Sequence, residues 1–198
     1  AVKYAERLDK KYDVIILDDA FQHRSIHRDL DIVLINTNQE HLHLLPRGIL
    51  REPYKNISRA DCLVLTKNNP KFDALGLKSF KIPVFKCEEN YALSDSKNEG
   101  VGFCGIGSPD SFWKTLESLS VKINKKITFK DHQNYTPPVI QSIEDLLVGE
   151  PAFFTTEKDW IKLPKYFIKK HTGVFVEMSV KIKSDLFNKR IDEICPPN

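Results

Sequence analysis

Asp13-Val-Ile-Ile-Leu17 is a short run of apolar, mostly β-branched residues that leads directly into two carboxylates, Asp18 and Asp19. Similar runs occur at Asp31-Ile-Val-Leu-Ile-Asn36 and at Asp61-Cys-Leu-Val-Leu-Thr66. Runs of this length and composition are typical of buried parallel strands, and polar residues at the carboxyl end of such a strand are often functional. We therefore predict an α/β protein whose first sheet contains three parallel strands, one from each run.

The composition changes near the middle of the chain, which predicts two domains. Residues 1–81 begin with a predicted helix and contain the three apolar runs. Residues 82–99 contain two short extended pieces and a polar stretch, a pattern typical of a linker. A second α/β pattern fills residues 100–183. Residues 184–198 form a predicted C-terminal helix that could pack back on the first domain.

Composition and charge exclude few classes of function. The chain has 198 residues, with 30 basic against 27 acidic side chains, so the net charge of +3 does not indicate a nucleic-acid partner. Its four cysteines form no Cys-x-x-Cys pair, which argues against a zinc site or a disulfide framework and favours a reduced, intracellular protein. No stretch approaches the ~18 apolar residues of a membrane-spanning helix, so any membrane contact would be peripheral or lie outside the chain.

The densest group of polar side chains is Asp18-Asp-Ala-Phe-Gln-His-Arg24, directly after the first run. Carboxylates at the carboxyl end of a strand can hold Mg²⁺, as the Walker B acid of P-loop enzymes does. A surface turn with capping acids is the alternative. Two arginines, Arg47 and Arg51, belong to the proline-bounded loop Pro46–Pro53. They could neutralise phosphate charge or grip a substrate phosphate, or they could be ordinary surface arginines.

Histidines allow a second hypothesis, a metal-dependent hydrolase. His23 and His27 are four residues apart and could join Asp18 or Asp19 around a transition metal. Arg28 follows His27 directly and would repel a cation. The nearby pair His41 and His43 is more typical of a solvated loop than of metal ligands.

Two polar segments of the second domain have an ordinary structural explanation. His132 lies among polar residues just before a predicted helix, where a single histidine is more often structural than catalytic. Thr155-Thr-Glu-Lys-Asp159 follows a predicted strand, and a helix cap at Thr155 or Thr156 accounts for part of it.

Five segments taken in order resemble the lipid A 4'-kinase family across almost the whole chain. They are LDDAFQHR (17–24), LLPRGILREP (44–53), FCGIGSPDSF (103–112), FKDHQNY (129–135) and TTEKDWIKL (155–163). The resemblance implies a P-loop kinase of two α/β domains joined by a two-stranded linker. It also implies transfer of the ATP γ-phosphate to the 4'-hydroxyl of a tetraacyldisaccharide 1-phosphate, peripherally at the cytoplasmic face of the bacterial inner membrane.

The same resemblance implies roles for individual residues. Asp18 and Asp19 would bind Mg²⁺ and, with Gln22 and His23, the ATP. The implied catalytic residues are Arg47 and Arg51, near the phosphates of nucleotide or lipid, and His132, which would reach across an interdomain cleft. Gly105–Gly107 and Thr155–Lys158 match family motifs whose role stays open. The implied partners are the lipid A disaccharide precursor and an anionic membrane surface, the latter through an N-terminal part that the 198 residues lack.

The 198 residues depart from the family pattern in three respects. No G-x-x-x-x-G-K-[ST] loop occurs among them, and the family's membrane-associating helix and acidic base are also not matched. Without backbone amides and a lysine around the phosphates, we expect this chain alone to be inactive, with apolar surface of its first sheet open to water. A non-catalytic binding role is the other hypothesis that this absence leaves open.

Overall fold

The computed structural model describes residues 12–38, 43–67, 69, 72 and 75–195. Its residues form two compact units. Unit 1 contains the described residues up to Glu89 together with those from Val180 onward, and unit 2 is Asn90–Ser179. The N-terminal helix was predicted over residues 1–12, of which residues 1–11 lie outside the described part.

Unit 1 is built on a three-stranded parallel sheet. Its strands, in the spatial order β1-β2-β3, are β1 (Ile32–Asn36), β2 (Cys62–Thr66) and β3 (Val84–Lys86). Leu34 lies opposite Val64, and Val64 lies opposite Phe85, in parallel register. A 3-10 helix (Tyr54–Arg59) and a short helix α1 (Leu75–Lys78) connect the strands. The α/β fold with a parallel sheet is therefore confirmed.

The strand predicted at Asp13–Leu17 is wrong. These residues have no regular structure, and Ile16 is 90% exposed. Apolar character alone does not make a strand, because its backbone groups also need a neighbouring strand for hydrogen bonds, and no described residue pairs with this segment. Among the described strands β1 is an edge of the sheet, and its Leu34 is 67% exposed. Apolar surface is thus open to water on this side of unit 1.

The centre of unit 1 is β2, which is buried on both faces as expected of a parallel strand. Leu63 and Leu65 pack on one face with Ile35, Ile57 and Leu77. On the other face, Cys62 and Val64 pack with Phe85 and Cys87. The final helix α6 (Asp185–Ile194) covers this second face, since the ring of Phe187 lies 5.2 Å from that of Phe85.

Unit 2 contains a five-stranded sheet of spatial order β4-β8-β7-β5-β6. Its strands are β4 (Glu88–Leu93), β5 (Glu99–Cys104), β6 (Lys122–Thr128), β7 (Phe153–Thr156) and β8 (Gly173–Lys181). The neighbouring strands from β6 to β8 are parallel. The chain passes between the two units within β4 and within β8.

Four helices belong to unit 2: α2 (Pro109–Ser118), α3 (Pro137–Leu147), α4 (Glu157–Trp160) and α5 (Lys165–Lys170). Ile140 and Ile143 of α3 and Phe167 of α5 pack in one core cluster with Phe103 and Phe153 of the sheet. Helix α2 contributes to a second core cluster. The buried positions of α3 recur at intervals of three and four residues, the spacing of one helix face. None of the described helices is long and apolar enough to cross a membrane.

Candidate functional site

The segment from Asp18 to Asp31 is held in shape by Arg28, although it contains no helix or strand. Arg28 donates to the backbone oxygens of His23 (2.7 Å) and Ile26 (3.0 Å). Its guanidinium also donates two hydrogen bonds to the Asp31 carboxylate, at 2.6 and 3.1 Å. Asp19 has a φ of 51°, a left-handed conformation that aspartate adopts more readily than most residues. These contacts fix where the predicted site residues stand.

The second part of the site is the loop that carries Arg47 and Arg51. Leu44 accepts hydrogen bonds from the backbone N–H groups of Arg47 (3.0 Å) and Gly48 (3.1 Å), and the Leu45–Pro46 peptide is cis. A side chain at Gly48 would collide with the backbone carbonyl of His43, so this close turn requires glycine. The loop also borders a surface cavity of about 430 Å³.

The structure brings two predicted site residues into direct contact. Arg51 Nη1 donates to Asp19 Oδ2 at 2.6 Å. The two side chains are 60% and 64% exposed, so the ion pair faces solvent and is open to exchange with a charged ligand. The segment Asp18–Asp31 and the loop Pro46–Pro53 therefore form one surface.

Glu52 of this surface accepts hydrogen bonds from several side chains. Its carboxylate accepts two hydrogen bonds from Arg59 (2.9 and 3.0 Å), one from Asn56 (2.8 Å) and a long one from Gln22 (3.4 Å). The Arg59 guanidinium lowers the pKa of Glu52, because it hydrogen-bonds to the ionised form, and Asn56 adds to the effect. Arg59 also lies over the ring of Phe21, 4.6 Å from its centroid. Glu52 and Arg59 thus tie the aspartate segment to the loop.

Three predicted site residues take no part in these side-chain hydrogen bonds. The side chains of Asp18, His23 and Arg47 are exposed and make no hydrogen bond or ion pair with another described residue. Nor does any group of three or more histidine, cysteine or acidic side chains in the described ranges stand close enough to hold a metal ion. The hydrolase hypothesis consequently gains no support from the positions of His23 and His27.

Unit 2 has a separate polar cluster around Asp159, which is fully buried. Asp159 Oδ2 accepts hydrogen bonds from the backbone N–H of Gly105 (2.9 Å) and from the hydroxyl of Thr156 (2.8 Å). Lys162 Nζ lies 3.6 Å from the other oxygen, Oδ1. A side chain at Gly105 would come within 2.7 Å of Gln133 Cβ. Segments that are distant in sequence therefore meet at the carboxyl end of β5 and β7.

Other groups near Asp159 are buried and respond to its charge. The pKa of Tyr135 is raised, first by burial and then by Asp159. Burial, with a smaller contribution from Asp159, raises the pKa of the Cys104 thiol to about 12. The Tyr135 hydroxyl, the Thr155 hydroxyl and Asp159 Oδ1 accept or donate no hydrogen bond among the described residues.

His132 lies at the surface of unit 2. Its side chain is 91% exposed, and its φ of 56° places it in the left-handed region. The backbone N–H of His132 donates to the Asp131 carboxylate (2.9 Å), which holds the turn. The imidazole Nε2 is 3.9 Å from the same carboxylate, so the ring is accessible to a ligand.

Comparison with known proteins assigns the chain to one family. The family model LpxK, tetraacyldisaccharide-1-P 4'-kinase, matches residues 1–196. The chain belongs to this family. A tetraacyldisaccharide 4'-kinase of Chlorobaculum parvum is 38% identical over an alignment of 180 residues, and the match covers 81% of this chain and 49% of that protein. A second one, of Bdellovibrio bacteriovorus, is 30% identical over an alignment of 209 residues including gaps, and the match covers 93% of this chain and 60% of that protein.

A solved structure of the LpxK family is similar as well. The crystal structure of LpxK from Aquifex aeolicus in complex with ATP superimposes with a TM-score of 0.69 at 34% identity, over 90% of this chain and 56% of that one. The curated relative from Aquifex aeolicus is 38% identical over 163 residues. The chain spans about half the length of the curated relatives it matches.

Two residues that hold these polar clusters together, Glu52 and Asp159, were not predicted from the sequence. Glu52 follows Arg51 directly, and its spacing of four residues to Asn56 and seven to Arg59 suits one side of a helix, which could have indicated the contacts. Asp159 ends the segment Thr155–Asp159, where the predicted helix cap is confirmed at Thr156, because Thr156 Oγ1 accepts from the Asp159 N–H. Its contact with Gly105, 54 residues away, has no local signal.

Proposed function

We propose that these 198 residues form part of a kinase that transfers the γ-phosphate of ATP to the 4'-hydroxyl of a tetraacyldisaccharide 1-phosphate, in lipid A biosynthesis. Family membership and the ATP bound by the related Aquifex aeolicus protein support the reaction class. The observation that carries the site is the 2.6 Å contact of Arg51 with Asp19, which puts a carboxylate and a guanidinium together on an accessible surface.

Asp18 and Asp19 would hold Mg²⁺ in this proposal. Both carboxylates are exposed, and Mg²⁺ is typically bound by one or two carboxylates while phosphate and water oxygens complete its coordination. When bound, the ion would neutralise charge on the β- and γ-phosphates. Gln22 and His23 follow in the same segment and would line the nucleotide site. The donor types therefore fit Mg²⁺ with ATP.

The cationic and imidazole groups would act on the phosphates. Arg51 could exchange its bond with Asp19 for one with a phosphate oxygen, which a guanidinium binds in a bidentate manner. Arg47 is exposed on the same loop and makes no ion pair with a described residue, so its charge is available to nucleotide or lipid phosphate. His132, with its exposed ring, would orient or assist the reacting groups.

We further propose that the 198 residues do not transfer phosphate by themselves. They contain no G-x-x-x-x-G-K-[ST] loop, and such a loop supplies the backbone amides and lysine around the β- and γ-phosphates. The substrate would be reached at the cytoplasmic face of the inner membrane, where the protein would contact an anionic lipid surface.

A chimera tests the proposal. Residues 1–198 are joined to the part of the Chlorobaculum parvum kinase that the chain does not match, and phosphate transfer from ATP to the lipid is measured. We expect the chimera to be active, the isolated chain to be inactive, and Asp18→Ala with Asp19→Ala to lower turnover by orders of magnitude.

Asp29→Ala is the matched control, since Asp29 is an exposed aspartate of the same segment with no assigned role. Nucleotide binding measured beside turnover separates a kinase from a binding module. An unaffected double variant, or an isolated chain that phosphorylates the lipid, would refute the assignment of the site.

A further inference from the structure

The segment from Trp160 to Lys170 in unit 2 has two chemically different sides. On the inner side, Leu163 and Phe167 are buried in the core, and Trp160 and Ile168 pack against it. On the outer side, two large apolar residues face water: Ile161 is 77% exposed and Tyr166 is 57% exposed. Lysines accompany them at exposed positions 162, 165, 169 and 170. We call Ile161, Lys165, Tyr166 and Lys169 the outer face.

The charged side chains of this segment are all basic. Residues 160–172 include four lysines and His171 but no aspartate or glutamate. Lys170 is paired with Glu144 at 2.9 Å, and Lys162 lies 3.6 Å from the buried Asp159. Lys165 and Lys169 make no ion pair with any residue that the structure describes. Their charges are available to an external partner.

The other lysine-rich segment of unit 2 differs in this respect. On the edge strand β6, Lys122 pairs with Glu99 (2.6 Å) and Lys125 with Glu150 (3.1 Å). Lys126 lies over the ring of Trp113, 5.6 Å from its centroid. Those lysines have partners within the unit, as expected of residues that protect an edge strand. The outer face combines unpaired charge with exposed apolar side chains instead.

We propose that the outer face is a docking surface for an anionic phospholipid bilayer. Ile161 and Tyr166 would enter the boundary between headgroups and acyl chains, where aliphatic and tyrosine side chains are stable, while Lys165 and Lys169 would contact phosphate headgroups. Charge complementarity identifies the partner, and the exposed apolar pair distinguishes a bilayer from a purely electrostatic partner such as nucleic acid. The inference suits the proposed lipid substrate but does not depend on catalysis.

Vesicle co-sedimentation of the 198-residue chain tests the proposal directly. The probes are vesicles of phosphatidylcholine alone and vesicles with about one-third phosphatidylglycerol. We expect the chain to sediment with the anionic vesicles, and less so as salt rises. Lys165→Glu with Lys169→Glu should lower the partition coefficient at least about 25-fold, since each lysine near an anionic surface contributes about fivefold. Ile161→Ser should lower it further and independently of salt.

Lys97→Glu with Lys114→Glu is the matched control, because both lysines are exposed in unit 2 and the change in net charge is identical. Leu186→Ser, in unit 1, controls for the loss of an exposed apolar side chain. Circular dichroism checks that each variant is folded. The proposal is overturned if the chain does not bind anionic vesicles, if the control variants lose as much binding, or if nucleic acid competes the chain off the vesicles while Ile161→Ser has no effect.

Discussion

Arg51 and Asp19 are 32 residues apart in sequence, yet Arg51 Nη1 donates to Asp19 Oδ2 at 2.6 Å on the surface of unit 1. Both side chains are mostly exposed, and an ion pair of this kind contributes little to stability because water and salt screen it. The contact thus has more significance for ligand binding than for folding. This distinction can be measured.

Arg51→Ala should separate activity from stability. In the chimera described above, loss of the guanidinium should reduce turnover by about 10²–10³, the usual effect of removing one group that stabilises transition-state charge. In the 198-residue chain, the free energy of unfolding measured with urea should change by about 0.5 kcal/mol or less. Lys55→Ala, a nearby exposed cation, should change neither quantity. A large loss of stability in Arg51→Ala would make the contact structural.

Asp159→Ala should destabilise unit 2. The substitution removes the acceptor for the buried Gly105 N–H and the partly buried Thr156 hydroxyl and leaves both groups without this hydrogen bond. We expect a loss of about 3 kcal/mol in the free energy of unfolding. The measurement is urea unfolding followed by tryptophan fluorescence, which reports on unit 2 because both tryptophans, Trp113 and Trp160, belong to it.

Two further variants serve as comparisons for Asp159→Ala. Asp159→Asn keeps the size and one acceptor oxygen, so its loss should be smaller than that of alanine. Glu117→Ala changes an exposed acid on α2 and should alter the free energy of unfolding by about 0.5 kcal/mol or less. Equal losses for Asp159→Ala and Glu117→Ala would show that the buried hydrogen bonds contribute nothing specific.

Strands could be predicted from the sequence where a run of residues has the composition typical of a strand. Strands β1 and β2 were predicted because each comes from a continuous run of apolar residues, which is typical of a parallel strand, although only β2 is buried on both faces. The run at Asp13–Leu17 has the same composition as β1 but not its hydrogen-bonding neighbour among the described residues, so composition alone gave the wrong structure there.

The candidate site was also predictable only in part, because the role of some residues depends on partners that are distant in sequence. Residue type identified Asp19 and Arg51 as groups that act on phosphate, and the fold places them together. Glu52 and Asp159 do not differ in sequence from ordinary surface acids. Their importance comes from partners such as Arg59 and Gly105, which only the tertiary structure brings near.

The cysteines should differ sharply in reactivity. Cys62, Cys87 and Cys104 are buried, and burial raises the pKa of each thiol, that of Cys104 to about 12. The thiolate is the reactive form, so these three should resist a thiol reagent at pH 8 until urea unfolds the chain. Cys195 is partly exposed and should react at once. Cys195→Ser should abolish the fast phase, and a fast phase that persists in this variant would contradict the burial of the others.

Glu52 should titrate below an ordinary glutamate, because Arg59 hydrogen-bonds to its ionised carboxylate. A lowered pKa in the folded state means that the stabilisation is present above the ordinary value of 4.5 and is lost as pH falls through the lowered value. Carbon-13 NMR of the carboxyl group measures this pKa directly. Arg59→Gln should raise it toward the ordinary value, whereas Arg24→Gln, an exposed arginine without contact to Glu52, should not. If both variants shift the pKa equally, general positive charge and not the Arg59 hydrogen bonds holds Glu52 in its ionised form.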